Sequence, residues 1–508
     1  MPDDQRDVID FLSKPSSYGA AVERVDIIET HASIVFLAGD RAYKLKRAVK
    51  YPYLDFSTAE RRRMACEAEL HLNQRTAPEL YLEVQPLTLS TQSELAFGNA
   101  GPTVDWIVVM RRFDQALVFD ELAKAGQLSA SSMTELTCHV AAFHQSAERR
   151  PDHGGAAALA PVVETNHECL TTAREAGFSS ERIAEVRQRS LERLAVVGAV
   201  LDRRRPEGKV RRCHGDLHLR NVCLFEDRPT LFDCLEFSEE LASVDVLYDL
   251  AFLLMDLEHH GLADFASLVL NRYLDLTGED DGLPAMPLFL SLRAAIRAHV
   301  TATVLERTAG SRPRPAMAAE ARRYLDLSAQ FLRPRSCRLI AIGGLSGAGK
   351  STLAAALAPS LGARVLRSDV IRKQLFGVSL ETRLPASAYA PRASYRVYET
   401  LRRKAGDALA AGYSVIVDAV ALKPDERQSF AAIAEAAAVP FSGLWLEVPA
   451  PTMDRRLHAR RHDVSDASPE VLAQQLRQDP GPLDWVRVDA SGGAADCLAA
   501  ARRALGLG

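Results

Sequence analysis

The sequence is poor in the features that mark secreted, membrane-bound or nucleic-acid-coating proteins. Its 508 residues hold only eight cysteines, Cys66, Cys138, Cys169, Cys213, Cys223, Cys234, Cys337 and Cys497, with no C-x-x-C pair. Neither a disulfide framework nor a zinc cluster is expected, and the thiols read as small buried side chains. No long apolar run is free of charge: Val246 to Leu257 is broken by Asp249 and Asp256, so no membrane segment is expected. The start Met1-Pro2-Asp3-Asp4-Gln5 lacks the basic residues and apolar stretch of a secretory leader, and the expectation is a cytoplasmic protein. Charge of either sign is scarce in excess. Lys plus Arg number 62 against 66 Asp plus Glu, a net of −4, so the whole chain has neither a basic character for nucleic acid nor an acidic tail.

What is present is more chain than one hydrophobic core accommodates, since single domains run about 100 to 200 residues. In about the first 110 residues, short β-like runs at Val25 to Ile28, Ile34 to Leu37, Ala42 to Lys46 and Trp106 to Met110 surround one helical stretch from about Ser57 to Gln74, which predicts a small sheet with a helix. From Phe119 to about Leu332 helical spacing dominates, apart from an apolar-turn-apolar pair at Val222 to Phe225 and Thr230 to Phe232. After Arg333-Pro334-Arg335, strand candidates at Leu339 to Ile342, Arg364 to Arg367, Ser414 to Val417, Gly443 to Glu447 and Trp485 to Val488 alternate with helices, the pattern of a parallel α/β sheet. The expectation is two domains of mixed α/β and α+β class. The first is 1–334, with a small lobe over about 20–110 and a large lobe over about 114–334, and the second is 336–508.

The second domain carries Gly344-Leu345-Ser346-Gly347-Ala348-Gly349-Lys350-Ser351 between an apolar strand and a helical run that starts at Thr352. This fits G-x-x-x-x-G-K-[ST]: the glycines turn backbone N–H groups inward around phosphate oxygens, with Ser346, Ala348 and Thr352 contributing from the same turn. Lys350 reaches the terminal phosphates, and Ser351 ligates Mg²⁺. Asp418 ends a strand at the edge where open α/β sheets bind ligands and is the candidate second metal ligand, or else an ordinary helix cap. Asp369, in Ser368-Asp369-Val370-Ile371-Arg372, offers a carboxylate to an attacking hydroxyl, or else caps its helix. Arg456 and Arg460 lie four apart on one helical face, as in a lid that closes over phosphates, or in a solvated basic helix. These segments resemble the small P-loop kinases related to polynucleotide, gluconate and shikimate kinases and zeta toxins. The resemblance implies γ-phosphoryl transfer to a hydroxyl with Asp369 as base.

In the first domain, His214-Gly215-Asp216-Leu217-His218-Leu219-Arg220-Asn221 spaces a carboxylate and an amide five apart, as in kinase catalytic loops, and Asp233 follows the predicted hairpin. Asp216 would orient or deprotonate the acceptor hydroxyl, while Asn221 and Asp233 would hold Mg²⁺. Asp245 and Asp249 read as braces of the loop. Upstream, Lys44 shares a strand face with the small residue Ala42, which suits α/β-phosphates beside adenine; Lys46 points to the same face and remains its rival. Glu69 is the candidate partner of this lysine, with Glu67 as the alternative, and Met110-Arg111-Arg112-Phe113 the hinge. These residues resemble the aminoglycoside phosphotransferase family of kinase-like enzymes over about residues 20–310, and both modules together resemble the bacterial proteins that fuse such a domain to a P-loop kinase. The resemblance implies a bilobal protein-kinase-like fold followed by a P-loop NTPase sheet with helices on both faces. It also implies ATP and Mg²⁺ as cofactors. One departure is that Glu29-Thr30-His31-Ala32-Ser33 lacks G-x-G-x-x-G, which leaves Ser33 and its backbone to cover the phosphates.

The expected function is transfer of γ-phosphoryl groups to hydroxyls of small-molecule acceptors at two sites. The alternatives are nucleic-acid end phosphorylation by the P-loop half, which is not favoured, and a regulator in which one domain binds nucleotide to gate the other. No residue pattern specifies an oligomeric state.

Overall fold

The computed structural model describes residues 4–30, 32–51, 54–91, 94–98, 101–307, 314–459 and 464–507. The chain divides into two compact units, one of residues 1–260 with 288–332 and one of residues 261–287 with 333–508. The second unit is therefore discontinuous: it takes up a stretch, 261–287, that lies in the sequence between two segments of the first unit.

The first unit opens with a six-stranded antiparallel sheet whose strands run in the order Val25–Glu29, Ser33–Ala38, Arg41–Lys46, Thr103–Arg111, Tyr81–Leu89 and Leu95–Phe97. Alternation sorts its side chains. Leu45, Ile107 and Val109 face the N-terminal helix Arg6–Leu12 through Val8 and Leu12. Ala42, Val108 and Met110 face Cys66 on the helix Ala59–Asn73. That helix starts at Thr58, whose hydroxyl accepts from the Arg61 amide, and it docks through the buried ion pair of Arg62 with Asp105, 2.6 Å apart.

The rest of the unit is mostly helical. One core gathers Phe252 and Met255 of the helix Val246–His259, Ala294, Ala295 and Ala298 of Met286–Arg307, and Tyr324 and Leu325 of Arg314–Phe331. The hairpin Val222–Phe225 with Arg228–Leu231 interrupts the helices. Among the described residues, the helical run Glu279–Glu306 is long and apolar enough by composition to cross a membrane, and more than half of its most apolar window is buried within the protein.

The second unit is built on a five-stranded parallel sheet in the order Arg364–Arg367, Val415–Asp418, Leu339–Gly343, Phe441–Glu447 and Val486–Asp489. Every residue of the central strand Leu339–Gly343 is buried, as befits a strand covered on both faces. On one face Lys350–Leu361 and Ala494–Ala504 supply Leu353, Leu357 and Ala501 to a core with Ile340, Ile342 and Leu444. Pro391–Ala410 and Pro424–Ala436 supply further helices of the layer structure. Gly443 permits a close approach that no other residue could: a Cβ there would stand 2.3 Å from the Trp485 ring.

The segment 261–287 closes the edge of this sheet. On the helix Ala263–Thr277, the Asn271 side chain accepts from the Val365 amide at 2.8 Å and donates to the Ala363 carbonyl at 3.1 Å. It thereby takes the place of a neighbouring strand and satisfies an exposed edge. Beside it the buried Arg364 pairs with Asp275 at 2.8 Å and Asp280 at 2.7 Å, and Lys404 reaches Asp280 at 2.7 Å. Contiguity in sequence predicts 261–287 as part of the first domain, 1–334, whereas in the structure the segment packs with the second unit.

Candidate functional sites

In the first unit, period-2 alternation brings Ala42, Lys44 and Lys46 to one face of their strand, and both lysines meet the same carboxylate. Lys44 Nζ stands 2.7 Å from Glu69 Oε1 and 2.6 Å from Asp233 Oδ1. Lys46 Nζ stands 2.5 Å from Glu69 Oε2 and also pairs with Glu236. Glu69 is buried completely. Burial works to raise its pKa, but Lys44 and Lys46 outweigh that and hold it at about 2. For Glu236 burial wins, and its pKa is raised. Glu67 pairs instead with Arg63 on the exposed helix face, so it takes no part in this cluster.

Asp233 sits at φ 62°, a left-handed conformation that side chains with a Cβ rarely adopt, tolerated best by Asn and Asp. Its amide donates to the buried Tyr81 hydroxyl at 3.2 Å. The preceding loop, His214 to Asn221, is held by contacts to its backbone. Asp249 accepts from the His214 amide at 3.2 Å and the Gly215 amide at 2.8 Å, and Asp256 accepts from the Leu219 amide at 3.0 Å. Gly215 must be glycine, since at φ 84° a Cβ would stand 3.0 Å from those of both Ala242 and Leu235. Asp245 does not touch the loop; it pairs with Arg204 and caps the next helix through the Leu247 amide.

The braced loop presents Asp216, whose Oδ2 accepts from Asn221 Nδ2 at 2.9 Å and lies 3.3 Å from His218 Nε2. Burial would raise this carboxyl, but His218, with Arg297 and His214 behind it, holds it well below the usual carboxylate range. Asn221 gives its amide nitrogen to Asp216, which leaves its side-chain oxygen, with the Asp233 carboxylate, as hard donors of the kind Mg²⁺ takes. Met110 lies opposite Ala42 in the strand register and shares a core with Val35, Phe113 and Phe232. Ser33, at the start of its strand, donates its amide to Thr30 Oγ1.

In the second unit, Gly344, Gly347 and Gly349 all take positive φ. At Gly347 a Cβ would stand 2.8 Å from the Met453 carbonyl oxygen, so the loop can pass there only without a side chain. Lys350 Nζ turns back to donate to the Gly344 and Leu345 carbonyls at 2.9 and 3.1 Å. Ser351 Oγ donates to Asp418 Oδ2 at 2.6 Å, and Arg367 reaches both Ser351 Oγ at 3.1 Å and Asp418 at 3.4 Å. A hydroxyl and a carboxylate so joined are hard oxygen ligands that suit Mg²⁺. Thr352 continues the first turn of this helix.

Asp369 lies one strand over, in the first turn of Ser368–Phe376. Its carboxyl is raised, by burial first and by the Asp418 charge second, against the pull of Ser465, Arg367 and Lys350. Arg456 hydrogen-bonds the carbonyls of Ala348, Ala490 and Gly492 at 3.4, 2.9 and 3.3 Å, so its head lies along the flank of the phosphate loop. Arg460 lies outside the described residues. The segment after it touches the site through Gln475 Oε1, which accepts from the Ser346 amide at 2.9 Å. Asp466 also takes part, accepting from the Leu384 amide and the Tyr389 hydroxyl and pairing with Lys373.

Three further residues join these sites. Glu236 follows Asp233 in a stretch with no periodic signal. Arg372, three residues after Asp369 and so on the same helical face, is buried against the Tyr389 ring at 4.6 Å; its helical spacing could have found it. Arg297 depends on the packing of distant helices.

A family model described as "Phosphotransferase enzyme family" matches residues 130–289, and one described as "AAA domain" matches residues 339–480. Among solved structures, a gluconokinase from Sinorhizobium meliloti 1021 is 23% identical, covers 34% of this chain and 92% of its own, and has a TM-score of 0.25. A choline/ethanolamine kinase family protein from Mesorhizobium loti is 13% identical, covers 62% of this chain and 94% of its own, and has a TM-score of 0.36. Uncharacterized proteins of Mycobacterium tuberculosis and Mycobacterium bovis are each 32% identical over 481 residues, covering 92% of this chain and 93% of theirs. With that identity across nearly the whole of both chains, this protein belongs to the same family as those mycobacterial proteins, and it is a fused protein of a phosphotransferase-family domain and a P-loop kinase-like domain.

Proposed function

We propose that the protein is an ATP-dependent phosphotransferase with two active sites, each moving a γ-phosphoryl group to a hydroxyl of a small-molecule acceptor. The observation that carries this reading is that each unit assembles the same three parts from unrelated elements. One has Lys44, the oxygen pair Asn221 and Asp233, and Asp216; the other has Lys350, the pair Ser351 and Asp418, and Asp369. A phosphate-seeking cation, hard metal ligands and a separate carboxylate are what phosphoryl transfer needs, because its catalysis is positioning and charge neutralisation.

In the kinase-like site Lys44 would hold the α/β-phosphates, fixed by Glu69. Asp216 would accept the proton of the acceptor hydroxyl, and Ala42 and Met110 would flank the base. In the P-loop site the loop amides and Lys350 would hold the phosphates, and Asp369 would receive the acceptor proton. Bound Mg²⁺, held by Asn221 with Asp233 and by Ser351 with Asp418, would neutralise phosphate charge. A cytoplasmic setting, where ATP is at hand, fits this reading.

The test is to incubate full-length protein with γ-labelled ATP, Mg²⁺ and a metabolite extract, alongside the double variant Asp216→Asn with Asp369→Asn. New phosphorylated alcohols should form with the wild type alone. Labelled protein without any labelled small molecule, or label on nucleic-acid ends only, contradicts the proposal.

A further inference from the structure

The strand that carries Lys44 brings a second lysine, Lys46, to the same face, and phosphate binding by Lys44 leaves it without a role. Exposure separates the two. The Lys44 side chain is 12% exposed and reaches the Asp233 carboxylate, itself 41% exposed, whereas Lys46 is 2% exposed and its Nζ lies over the Phe56 ring, 5.3 Å from the centroid. Glu69 stands between the lysines with its two oxygens divided: Oε1 takes Lys44 at 2.7 Å and Oε2 takes Lys46 at 2.5 Å. Lys46 also pairs with Glu236, which is 8% exposed. The result is a chain of alternating charge, Asp233, Lys44, Glu69, Lys46 and Glu236, open to solvent at Asp233 and buried at Glu236.

The backbones that carry this chain are fixed by other contacts. The helix Ala59–Asn73 is pinned near its start by Arg62 on Asp105 at 2.6 Å. At its end the Asn73 side chain accepts from the Cys234 amide at 2.8 Å and donates to the Glu69 carbonyl at 2.9 Å. Gln5 Nε2 donates to the Lys46 carbonyl at 2.9 Å. Ahead of Glu236, the Leu235 amide donates to the His214 carbonyl at 2.9 Å and the Leu235 carbonyl accepts from Arg212 at 3.0 Å. A buried ion pair adds little net stability over apolar side chains of similar volume. With strand, helix and loop already held, what Lys46 supplies is the direction of the Glu69 carboxylate.

We infer that Lys46 and Glu236 are positioning residues for nucleotide binding at the kinase-like site. Glu236 holds Lys46, and Lys46 holds Glu69 Oε2, so that Oε1 still fixes Lys44 when that lysine turns its other N–H groups from Asp233 to phosphate oxygens. Lys46 itself donates nothing to the nucleotide. The two lysines on one strand face thereby divide the work: one binds phosphate, and the other keeps the first one's carboxylate in place. The inference rests on the reading of this site as a phosphotransferase that takes ATP through Lys44.

The test is calorimetric titration of the full-length chain with AMP-PNP and Mg²⁺, in a Lys350→Ala parent so that the kinase-like site alone is read. Lys46→Met by itself strands two buried carboxylates, so it is combined with Glu236→Leu, which removes one of those charges and keeps the volume. The double variant should keep the parent's thermal transition yet bind AMP-PNP at least about tenfold more weakly, the loss expected for a charge-assisted hydrogen bond. Parent-like affinity in the double variant overturns the inference and leaves the pair a packing feature. Binding that survives Lys44→Met but not the loss of Lys46 also overturns it, by making Lys46 the phosphate lysine. If the double variant loses its thermal transition, Glu236→Gln decides: it should weaken AMP-PNP binding in a chain that melts as the parent does, and unchanged affinity there overturns the inference. Absence of AMP-PNP binding in the Lys350→Ala parent itself overturns the phosphotransferase reading of the site instead, before any change at Lys46.

Discussion

In the kinase-like site the phosphate-seeking lysine is already surrounded by acid, with Glu69 and Asp233 both within 2.7 Å of Lys44 Nζ, whereas in the P-loop Lys350 donates to two backbone carbonyls of its own loop. The acceptor-side carboxylates differ in the opposite sense. Asp216 stands among His218, Arg297 and His214 and is held far down, while Asp369 is buried near Asp418 and is pushed up. On the proposed assignments, one site keeps its cation neutralised and its base carboxyl lowered, whereas the other keeps its cation on neutral dipoles and its base carboxyl raised. The two proposed sites would then solve the same charge problem in different ways, each with its own weak point.

The sharpest way to break the comparison is to neutralise the two carboxylates separately. Asp216→Asn and Asp369→Asn should each lower turnover at their own site by about 10²-fold or more, the usual range for a lost general base, and leave the other site's turnover unchanged. Single-turnover transfer on each acceptor checks this, and a variant that slows both sites equally would contradict their independence.

Next in size is a structural effect confined to the P-loop unit. Arg364→Ala leaves Asp275 and Asp280 buried without their shared cation, and breaking a buried pair costs about 3–5 kcal/mol. Differential scanning calorimetry should show a lower Tm for the transition that AMP-PNP stabilises through Lys350. An unchanged transition would mean that segment 261–287 contributes nothing to the stability of that unit.

The smallest effect is on pH dependence. A base works only when ionised, so a raised pKa moves the acid limb of the rate profile up and a lowered one moves it down. The P-loop site should lose activity at a higher pH than the kinase-like site as the solution is acidified. The same order of limbs reversed, or coincident limbs, would show that the two environments do not act as described. Stability follows a separate sign: Glu69, held at about 2 against a usual 4.5, stabilises the fold above the usual value, and that contribution fades as pH falls from there toward 2.

Much of this was legible in the letters because the chemistry constrains the backbone. The phosphate loop declares itself through glycines at positive φ, and Lys44 through a period-2 face shared with Ala42. The same alternation could not rank Lys44 against Lys46, since it places both on that face, and Glu69 indeed meets both. The strand Tyr81–Leu89 was not expected, because Pro86 interrupts its pattern. Neither was the N-terminal helix's place against the small-lobe sheet, which depends on Val8 and Leu12 finding Ile34 and Phe36. The route of 261–287 into the P-loop unit was not legible either. It rests on Asn271 imitating a strand edge and on Arg364 meeting acids more than eighty residues away, and no local pattern encodes such a pairing.

The central claim is that one chain carries two nucleotide sites, and calorimetric titration of the full-length protein with AMP-PNP and Mg²⁺ tests it most directly. The account predicts two binding events per chain. Lys350→Ala removes one of them, and Asp233→Ala weakens the Mg²⁺-dependent part of the other. A wild-type stoichiometry of one, or a single variant that abolishes both events, would contradict it.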